Sequence, residues 1–214
     1  MIEAQIQVGG ASLAGNLHLP KDTSALVLFA HGSGSSRQSP RNQFVARTLN
    51  DARLGTLLFD LLTQDEEAID MQTHELRFNI HLLAKRLVEV TKWTRRRPQL
   101  CDLQIGYFGS STGGAAALVA AADKPEDVGA VVSRGGRPDL AGDALPNVRA
   151  PALLIVGGND DIVIELNEQA RNRMRCAVNL EIVPGATHLF EEPGALAKVA
   201  NLASEWFSRH LLRK

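Results

Sequence analysis

The sequence predicts an α/β fold: a mostly parallel eight-stranded sheet with helices on both faces and an antiparallel hairpin at its N-terminal edge. Three observations lead to this prediction. Short, continuous apolar runs recur along the chain, as in strands that are buried on both faces. Stretches with apolar residues at helical spacing alternate with these runs. Glycine and small polar residues follow the ends of the runs, so the alternation indicates strand–helix–strand units.

The N-terminal half begins with a predicted β-hairpin. Residues 2–8 and 11–19 alternate apolar and polar side chains, and Gly9-Gly10 between them provides the turn. The pattern then predicts a buried strand, a helix, a second buried strand, a polar loop and a long helix, at residues 25–30, 42–52, 55–60, 63–73 and 74–96.

The C-terminal half continues the alternation. A strand begins at Leu103, and an alanine-rich helix follows it. The predicted elements of this half after Leu103 are a helix, two strands, a helix, a strand and a final amphipathic helix, at residues 115–122, 128–133, 152–156, 165–176, 178–183 and 194–212. No repeat, linker or change in composition marks a second domain, so we expect one domain over residues 1–214.

Composition excludes several classes of protein. The chain has 44% hydrophobic and 22% charged residues, which is ordinary for a globular protein, and its net charge of −1 argues against nucleic acid as a partner. The apolar runs are too short to span a bilayer, and the N-terminus lacks the basic start and apolar core of a signal peptide. We therefore expect a cytoplasmic protein, monomeric or homodimeric, with no membrane partner.

Cysteine usage and known motifs narrow the chemistry further. Cys101 and Cys176 lie far apart in sequence, and free thiols in a reducing compartment are the preferred interpretation. The chain contains no C-x-x-C, H-E-x-x-H or G-x-x-x-x-G-K-[ST] motif. We therefore expect no metal and no cofactor.

One short stretch places a serine at a sharp strand-to-helix turn. Gly109, Ser111 and Gly113 form a G-x-S-x-G motif between the strand at Leu103 and the alanine-rich helix. The glycines suit the turn because a Cβ atom at either position would strike the packed strand or helix beside it. The motif alone is also compatible with a tightly packed turn that has no catalytic role. Other parts of the sequence are needed to distinguish the two interpretations.

Polar residues follow three further predicted strands. The loop from His31 to Ser35 follows the strand at 25–30, Asp160 follows the strand at 152–156, and His188 follows the strand at 178–183. Ligands bind at the carboxyl ends of strands in such sheets, so we expect these side chains to gather near Ser111. The chain order is Ser, then Asp, then His.

This order and these motifs resemble the α/β-hydrolase family, and within it the small lidless enzymes of the dienelactone hydrolase type. The resemblance covers nearly the whole chain. The dienelactone hydrolases proper use a cysteine nucleophile, whereas this chain has Ser111, so their particular substrate does not carry over. The four stretches that carry the resemblance are 31–34, 109–113, 157–163 and 185–188.

The resemblance implies a catalytic triad. Ser111 would be the nucleophile, His188 the base that takes its proton, and Asp160 the carboxylate that orients the imidazole. Asp161 and Asp60 are the alternatives for the carboxylate, and the spacing from Gly157 to Val163 favours Asp160.

The same resemblance places the oxyanion hole. The backbone N–H groups of Ser33 and Thr112 would hold the oxyanion. His31 is expected to be structural, and Ser110 lies outside the motif register.

The remaining candidates concern substrate binding. Gly32 and Gly34 belong to the oxyanion loop, and Arg37 and Arg41 follow it. Arg134 and Arg137 follow the strand at 128–133. These arginines either bind an anionic group of the substrate or form ion pairs that hold loops together.

The predicted function is a serine hydrolase. The 18-residue interval 134–151 is too short for a helical lid, so the site should be open and the substrate small or presented at an accessible surface. We expect hydrolysis of small carboxylic esters or thioesters through an acyl-enzyme on Ser111. The alternatives are a peptidase or amidase of the same fold, and a non-catalytic binding protein of that fold.

Overall fold

The computed structural model describes residues 2–212, which form one eight-stranded sheet covered by helices. The strands are β1 (Ile2–Val8), β2 (Ala11–His18), β3 (Ala25–Ala30), β4 (Gly55–Phe59), β5 (Gln104–Ser110), β6 (Ala130–Arg134), β7 (Ala152–Gly157) and β8 (Val178–Val183). The α-helices are α1 (Pro40–Asp51), α2 (Gln64–Thr73), α3 (Ile80–Arg95), α4 (Thr112–Asp123), α5 (Asp161–Arg173) and α6 (Ala195–Leu211). Turns of 3₁₀ helix lie at Leu76–Phe78 and Pro138–Asn147.

The strand order is β1-β2-β4-β3-β5-β6-β7-β8. β1 pairs antiparallel with β2, and β2 pairs antiparallel with β4. All other neighbouring strands are parallel. The predicted fold class is therefore confirmed, including the hairpin at the sheet edge.

The core has one layer on each face of the sheet. The face covered by α3 and α4 includes the fully buried Tyr107, and the opposite face, covered by α1 and α6, includes the fully buried Phe108. These neighbours point to opposite faces because side chains alternate along a strand. β5 is thus buried on both sides, and its C-terminal end is fixed by packing from two layers.

The prediction of a loop at residues 63–73 is wrong, because helix α2 lies there in the structure. The Thr63 side chain accepts a hydrogen bond from the Glu66 N–H, and the Glu66 carboxylate accepts one from the Thr63 N–H. This capping box satisfies two N–H groups that the first turn would leave unpaired. The T-x-x-E pattern in the sequence was the available signal.

The single helix predicted at residues 74–96 is also wrong at its N-terminal end. His74 adopts a left-handed conformation that ends α2, and a 3₁₀ turn follows at Leu76–Phe78. α3 begins only at Ile80, where the Asn79 side chain accepts a hydrogen bond from the Leu82 N–H. An asparagine at this position is a strong N-cap and therefore a helix start.

Within residues 2–212, no helix is long and apolar enough to cross a membrane. Cys101 and Cys176 are both free.

Candidate active site

Ser111 lies at the junction of β5 and α4 in a conformation that few residues other than glycine adopt. Its φ is 50° and its ψ is −120°. Holding a residue with a Cβ atom in such a region costs on the order of 1–3 kcal/mol, and strain of this kind concentrates at functional sites. The Ser111 N–H donates to the Arg134 carbonyl at 3.2 Å, so β6 helps to hold the turn.

The two glycines of the motif leave room that no other residue could provide. A Cβ atom on Gly109 would lie 2.3 Å from the Gly113 carbonyl oxygen, and one on Gly113 would lie 2.2 Å from the Ala30 carbonyl oxygen. Backbone atoms cannot move aside as a side chain can. The turn therefore requires glycine on both sides of Ser111, as the sequence predicted.

His188 and Asp160 form a close pair beside Ser111. The His188 Nδ1 atom lies 2.7 Å from Asp160 Oδ2. A carboxylate only accepts hydrogen bonds, so Nδ1 carries the proton and the lone pair of Nε2 is left free. The His188 side chain is 37% exposed and that of Asp160 is 18% exposed, so the pair is partly shielded from water while the imidazole still reaches the surface.

The free imidazole nitrogen points to the serine. His188 Nε2 lies 3.4 Å from Ser111 Oγ. This distance is longer than a tight hydrogen bond, as is common between a nucleophile and its base when no substrate is bound. The structure thus brings Ser111, His188 and Asp160 together, although they are separated by up to 77 positions in the chain.

Two backbone N–H groups close to Ser111 in the chain or in the fold lack a backbone acceptor within residues 2–212. The His31–Gly34 loop packs against the serine turn, since a Cβ atom on Gly32 would lie 3.2 Å from the Ser110 carbonyl oxygen. Within residues 2–212, the N–H groups of Ser33 and Thr112 donate to no backbone carbonyl. Thr112 is also the first residue of α4, so its N–H belongs to the positive end of a helix dipole.

His31 holds the loop rather than facing the serine. Its Nε2 accepts a hydrogen bond from the Leu61 N–H at 3.0 Å, so Nδ1 carries the proton and donates to the Gly32 carbonyl at 3.0 Å. Burial lowers the pKa of His31 below its usual value of 6.5. The neutral imidazole therefore links β3 and β4 across the base of the loop.

This environment predicts a pH dependence of folding stability. The pKa of His31 is lower in the folded state than in the unfolded state. The neutral imidazole therefore adds its full stabilisation to the free energy of unfolding above pH 6.5, and this stabilisation is lost as the pH falls below that value. The slope can reach about 1.4 kcal/mol per pH unit. We expect the free energy of unfolding, measured by urea denaturation from pH 7.5 to 5, to fall more steeply in the wild type than in His31→Gln. Parallel curves would show that His31 is not buried as a neutral group.

The structure separates the arginines predicted to bind substrate. Arg37 forms an ion pair with Asp60, and Arg137 pairs with Asp139 through two hydrogen bonds of 2.8–2.9 Å. Neither lines the cavity that contains Ser111. Arg134 does line it, together with Arg41.

This cavity, which we call the Ser111 cleft, has a volume of about 190 Å³. Gly34 lines an adjoining pocket, which shares Gly32 and Ser33 with this cleft. The residues that line the Ser111 cleft are Gly32, Ser33, Ser35, Ser39, Arg41, Ser110, Ser111, Arg134, His188 and Leu189.

Two of these cleft residues were missed from the sequence. Leu189 lies in a loop whose path the pattern does not define. Ser39 caps α1, since its hydroxyl accepts from the Asn42 N–H at 3.3 Å, and Pro40 follows it. A serine followed by proline is a helix-start signal, so α1 could have been placed with its N-terminus in the cleft.

The parallel sheet, the serine turn and the neighbouring His–Asp pair define the class of protein as an α/β hydrolase. The chain belongs to the dienelactone hydrolase family, whose model matches residues 52–211. The predicted resemblance is confirmed.

A solved structure supports this membership at high identity. The dienelactone hydrolase from Anabaena variabilis is 59% identical, with a TM-score of 0.97, over 99% of this chain and 98% of that one. Est1E from Butyrivibrio proteoclasticus, solved with ferulic acid bound, has a TM-score of 0.82 at 18% identity, over 97% of this chain and 98% of its own. At that identity the likeness concerns the fold alone.

A curated relative from Mycobacterium tuberculosis is 54% identical over 98% of this chain and carries the provisional name phosphoribosyl transferase. The match covers 46% of that protein, so the chain spans about half the length of this relative.

Proposed function

We propose that the protein is a serine hydrolase that cleaves small carboxylic esters or thioesters without a cofactor. The observation that supports this most is the position of His188, whose two ring nitrogens face Asp160 at 2.7 Å and Ser111 at 3.4 Å. An imidazole fixed in this tautomer can accept a proton from the serine hydroxyl. Membership of the dienelactone hydrolase family supports hydrolysis as the reaction that Ser111, His188 and Asp160 carry out.

Acylation uses each member of the cluster in turn. As Ser111 Oγ attacks the carbonyl carbon, its proton moves to His188 Nε2, and Asp160 stabilises the resulting imidazolium. The N–H groups of Ser33 and Thr112 donate to the oxyanion that forms. When the carbon–oxygen or carbon–sulfur bond of the substrate breaks, the imidazolium returns the proton to the departing alcohol or thiol.

Deacylation repeats the sequence with water. His188 takes a proton from water as the water oxygen attacks the acyl carbon. It then returns the proton to Ser111 Oγ as the bond between the acyl carbon and Oγ breaks. The products are the carboxylic acid and the free enzyme. Only 3₁₀ turns lie between β6 and β7, with no helical lid over the cleft in the described part of the chain, which suits a small substrate.

The name of the M. tuberculosis relative does not change this proposal. It describes a protein about twice as long, of which the match covers 46%. The Ser111 cleft lies in the half that the two proteins share.

Hydrolysis of a panel of p-nitrophenyl esters tests the reaction class. We expect short acyl chains to be cleaved with a higher kcat/KM than long ones, because the Ser111 cleft is small. Matched anilides and thioesters distinguish an amidase or a thioesterase. A folded protein that cleaves none of these compounds would favour the non-catalytic binding protein instead.

A further inference from the structure

The strongest unexplained feature is a buried cation in the Ser111 cleft. Arg134 is only 6% exposed, yet it takes part in none of the ion pairs formed within residues 2–212. Its Nε atom is buried and has no hydrogen-bond partner in the described part of the chain. The ring of Phe190 offers a weak cation–π contact, since its centroid lies 5.8 Å from the guanidinium carbon.

Such an arrangement is costly unless an anion completes it. A buried charge loses its hydration, and the cost amounts to several kcal/mol when no partner is present. Burial, and secondly the charge of Arg41, lower the pKa of Arg134 to about 10, so the group stays cationic at neutral pH. The cleft therefore keeps a largely buried cation beside its serine.

Further features of the Ser111 cleft add to the positive electrostatic potential of Arg134. Arg41 lies in it with its Nε atom buried and unpartnered, and its Nη1 atom forms an ion pair with the exposed Glu191 at 2.9 Å. The N-terminus of α1 lies in the cleft at Ser39, and a helix N-terminus favours anions. None of the residues that line the cleft is acidic.

We propose that Arg134, Arg41 and the N-terminus of α1 form a subsite for a phosphate group carried by the substrate. The inference rests on the proposed hydrolase function, because the ligand is part of that substrate. Phosphate fits better than carboxylate for two reasons. Its double negative charge competes better than a single carboxylate with Glu191 for Arg41, and its three terminal oxygens use more of the donors here, which include the hydroxyls of Ser33 and Ser35.

The subsite is placed for a phosphate next to the ester bond. The Arg134 carbonyl accepts the Ser111 N–H, and Arg134 pairs in register with Ser110. The guanidinium and the serine hydroxyl thus extend from adjacent strand ends into one cleft of about 190 Å³. A substrate with its phosphate on Arg134 would therefore place a nearby acyl carbon at Ser111.

Binding of inorganic phosphate to the Ser111→Ala protein, followed by isothermal titration calorimetry, tests the subsite without requiring hydrolysis. We expect Arg134→Gln to weaken binding at least about tenfold and Arg41→Gln by a smaller factor. Glu191→Gln should strengthen binding, because it removes the carboxylate that competes for Arg41. Arg137→Gln is the matched control and should change nothing, since Arg137 is paired with Asp139 outside the cleft.

Circular dichroism shows whether each variant is folded. If Arg134→Gln does not fold, the opposite effects of Arg41→Gln and Glu191→Gln decide the question. Absence of phosphate binding, or equal weakening by Arg137→Gln, would overturn the subsite. The subsite would also be overturned if neither Arg41→Gln nor Glu191→Gln changed the affinity for phosphate.

The wild-type enzyme separates phosphate from carboxylate. Three p-nitrophenyl esters of similar acyl length serve as substrates: pentanoate, the half-ester of succinate, and phosphonopropanoate. We expect the phosphonate ester to have a kcat/KM at least about tenfold above that of the neutral ester, with the advantage shrinking at high salt and in Arg134→Gln. A preference for the succinate ester over the phosphonate would overturn the assignment to phosphate.

The two experiments also separate the proposals. Phosphate binding by a protein that hydrolyses none of the esters would leave the subsite standing and refute the hydrolase. Hydrolysis of the neutral ester without phosphate binding would refute only the subsite.

Discussion

Replacement of Ser111 by alanine is expected to lower kcat for ester hydrolysis by about 10⁶-fold while the protein stays folded. In a well-studied serine protease, loss of the nucleophile costs on the order of 10⁶ in kcat, because the base then has no hydroxyl to activate. Alanine should also be tolerated structurally, since within residues 2–212 the only hydrogen bond of the Ser111 side chain is the long one to His188. The measurement is kcat for the best p-nitrophenyl ester, with circular dichroism to show the fold.

Ser110→Ala is the matched control. Ser110 precedes Ser111 and is buried, but its hydroxyl donates to Asn42 Oδ1 at 3.2 Å rather than facing His188. We expect its loss to cost about 1 kcal/mol of stability and to leave most of the activity. If Ser111→Ala keeps a substantial fraction of wild-type activity, or if Ser110→Ala is the more damaging change, Ser111 is not the nucleophile.

Replacement of Asp160 by asparagine is expected to lower kcat by about 10⁴-fold, as the equivalent change does in a serine protease. An asparagine side chain can donate an N–H to His188 Nδ1. The proton would then reside on Nε2, and the imidazole could no longer accept one from Ser111. The KM of the ester should change little, because Asp160 lies behind His188 and does not line the Ser111 cleft.

Asp161→Asn tests whether the neighbouring carboxylate could serve instead. Asp161 is exposed in the first turn of α5, where it interacts favourably with the helix dipole. We expect a change of less than about threefold in kcat, with a loss of only a few tenths of a kcal/mol in stability. Equal losses in the two variants would leave the orienting carboxylate unassigned, and a severe loss in Asp161→Asn alone would exchange their roles.

The sheet was predictable because burial on both faces leaves a clear pattern in the sequence. The runs Ala25–Ala30 and Ala152–Gly157 have no exposed position, and the predicted strands at 25–30 and 152–156 match them closely. Helix ends were less predictable. α5 begins at Asp161, whereas the predicted start was residue 165. The first turn of α5 is largely exposed, so it adds few apolar residues to the pattern, and its position is set by the strand that ends before it.

Helix α2 shows a different limit. It buries only Asp70 among its own residues, so it has no apolar stripe for periodicity to detect. Asp70 accepts hydrogen bonds from the backbone and side chain of Arg77, which ties the helix to the 3₁₀ turn after it. Local capping and this ion pair, rather than core packing, define the element.

In the candidate site, too, some residues could be predicted from the sequence and others could not. Chain order and strand ends led to Ser111, Asp160 and His188, because the topology of a parallel sheet brings strand ends together. Sequence could not distinguish Arg134, which is buried and unpaired, from Arg137, which is paired with Asp139. That difference depends on side-chain directions and on which carboxylates lie within reach, which only the folded structure provides.

Labelling with a fluorophosphonate tests most directly whether Ser111 is an activated nucleophile. The wild-type protein is treated with the probe, digested, and its modified peptide is identified by mass spectrometry. We expect a single adduct on Ser111, formed much more slowly in His188→Gln, which lacks the base, and at nearly the wild-type rate in Asp161→Asn. A folded wild-type protein that does not react, or that reacts at another serine such as Ser110, would contradict the proposed catalytic cluster.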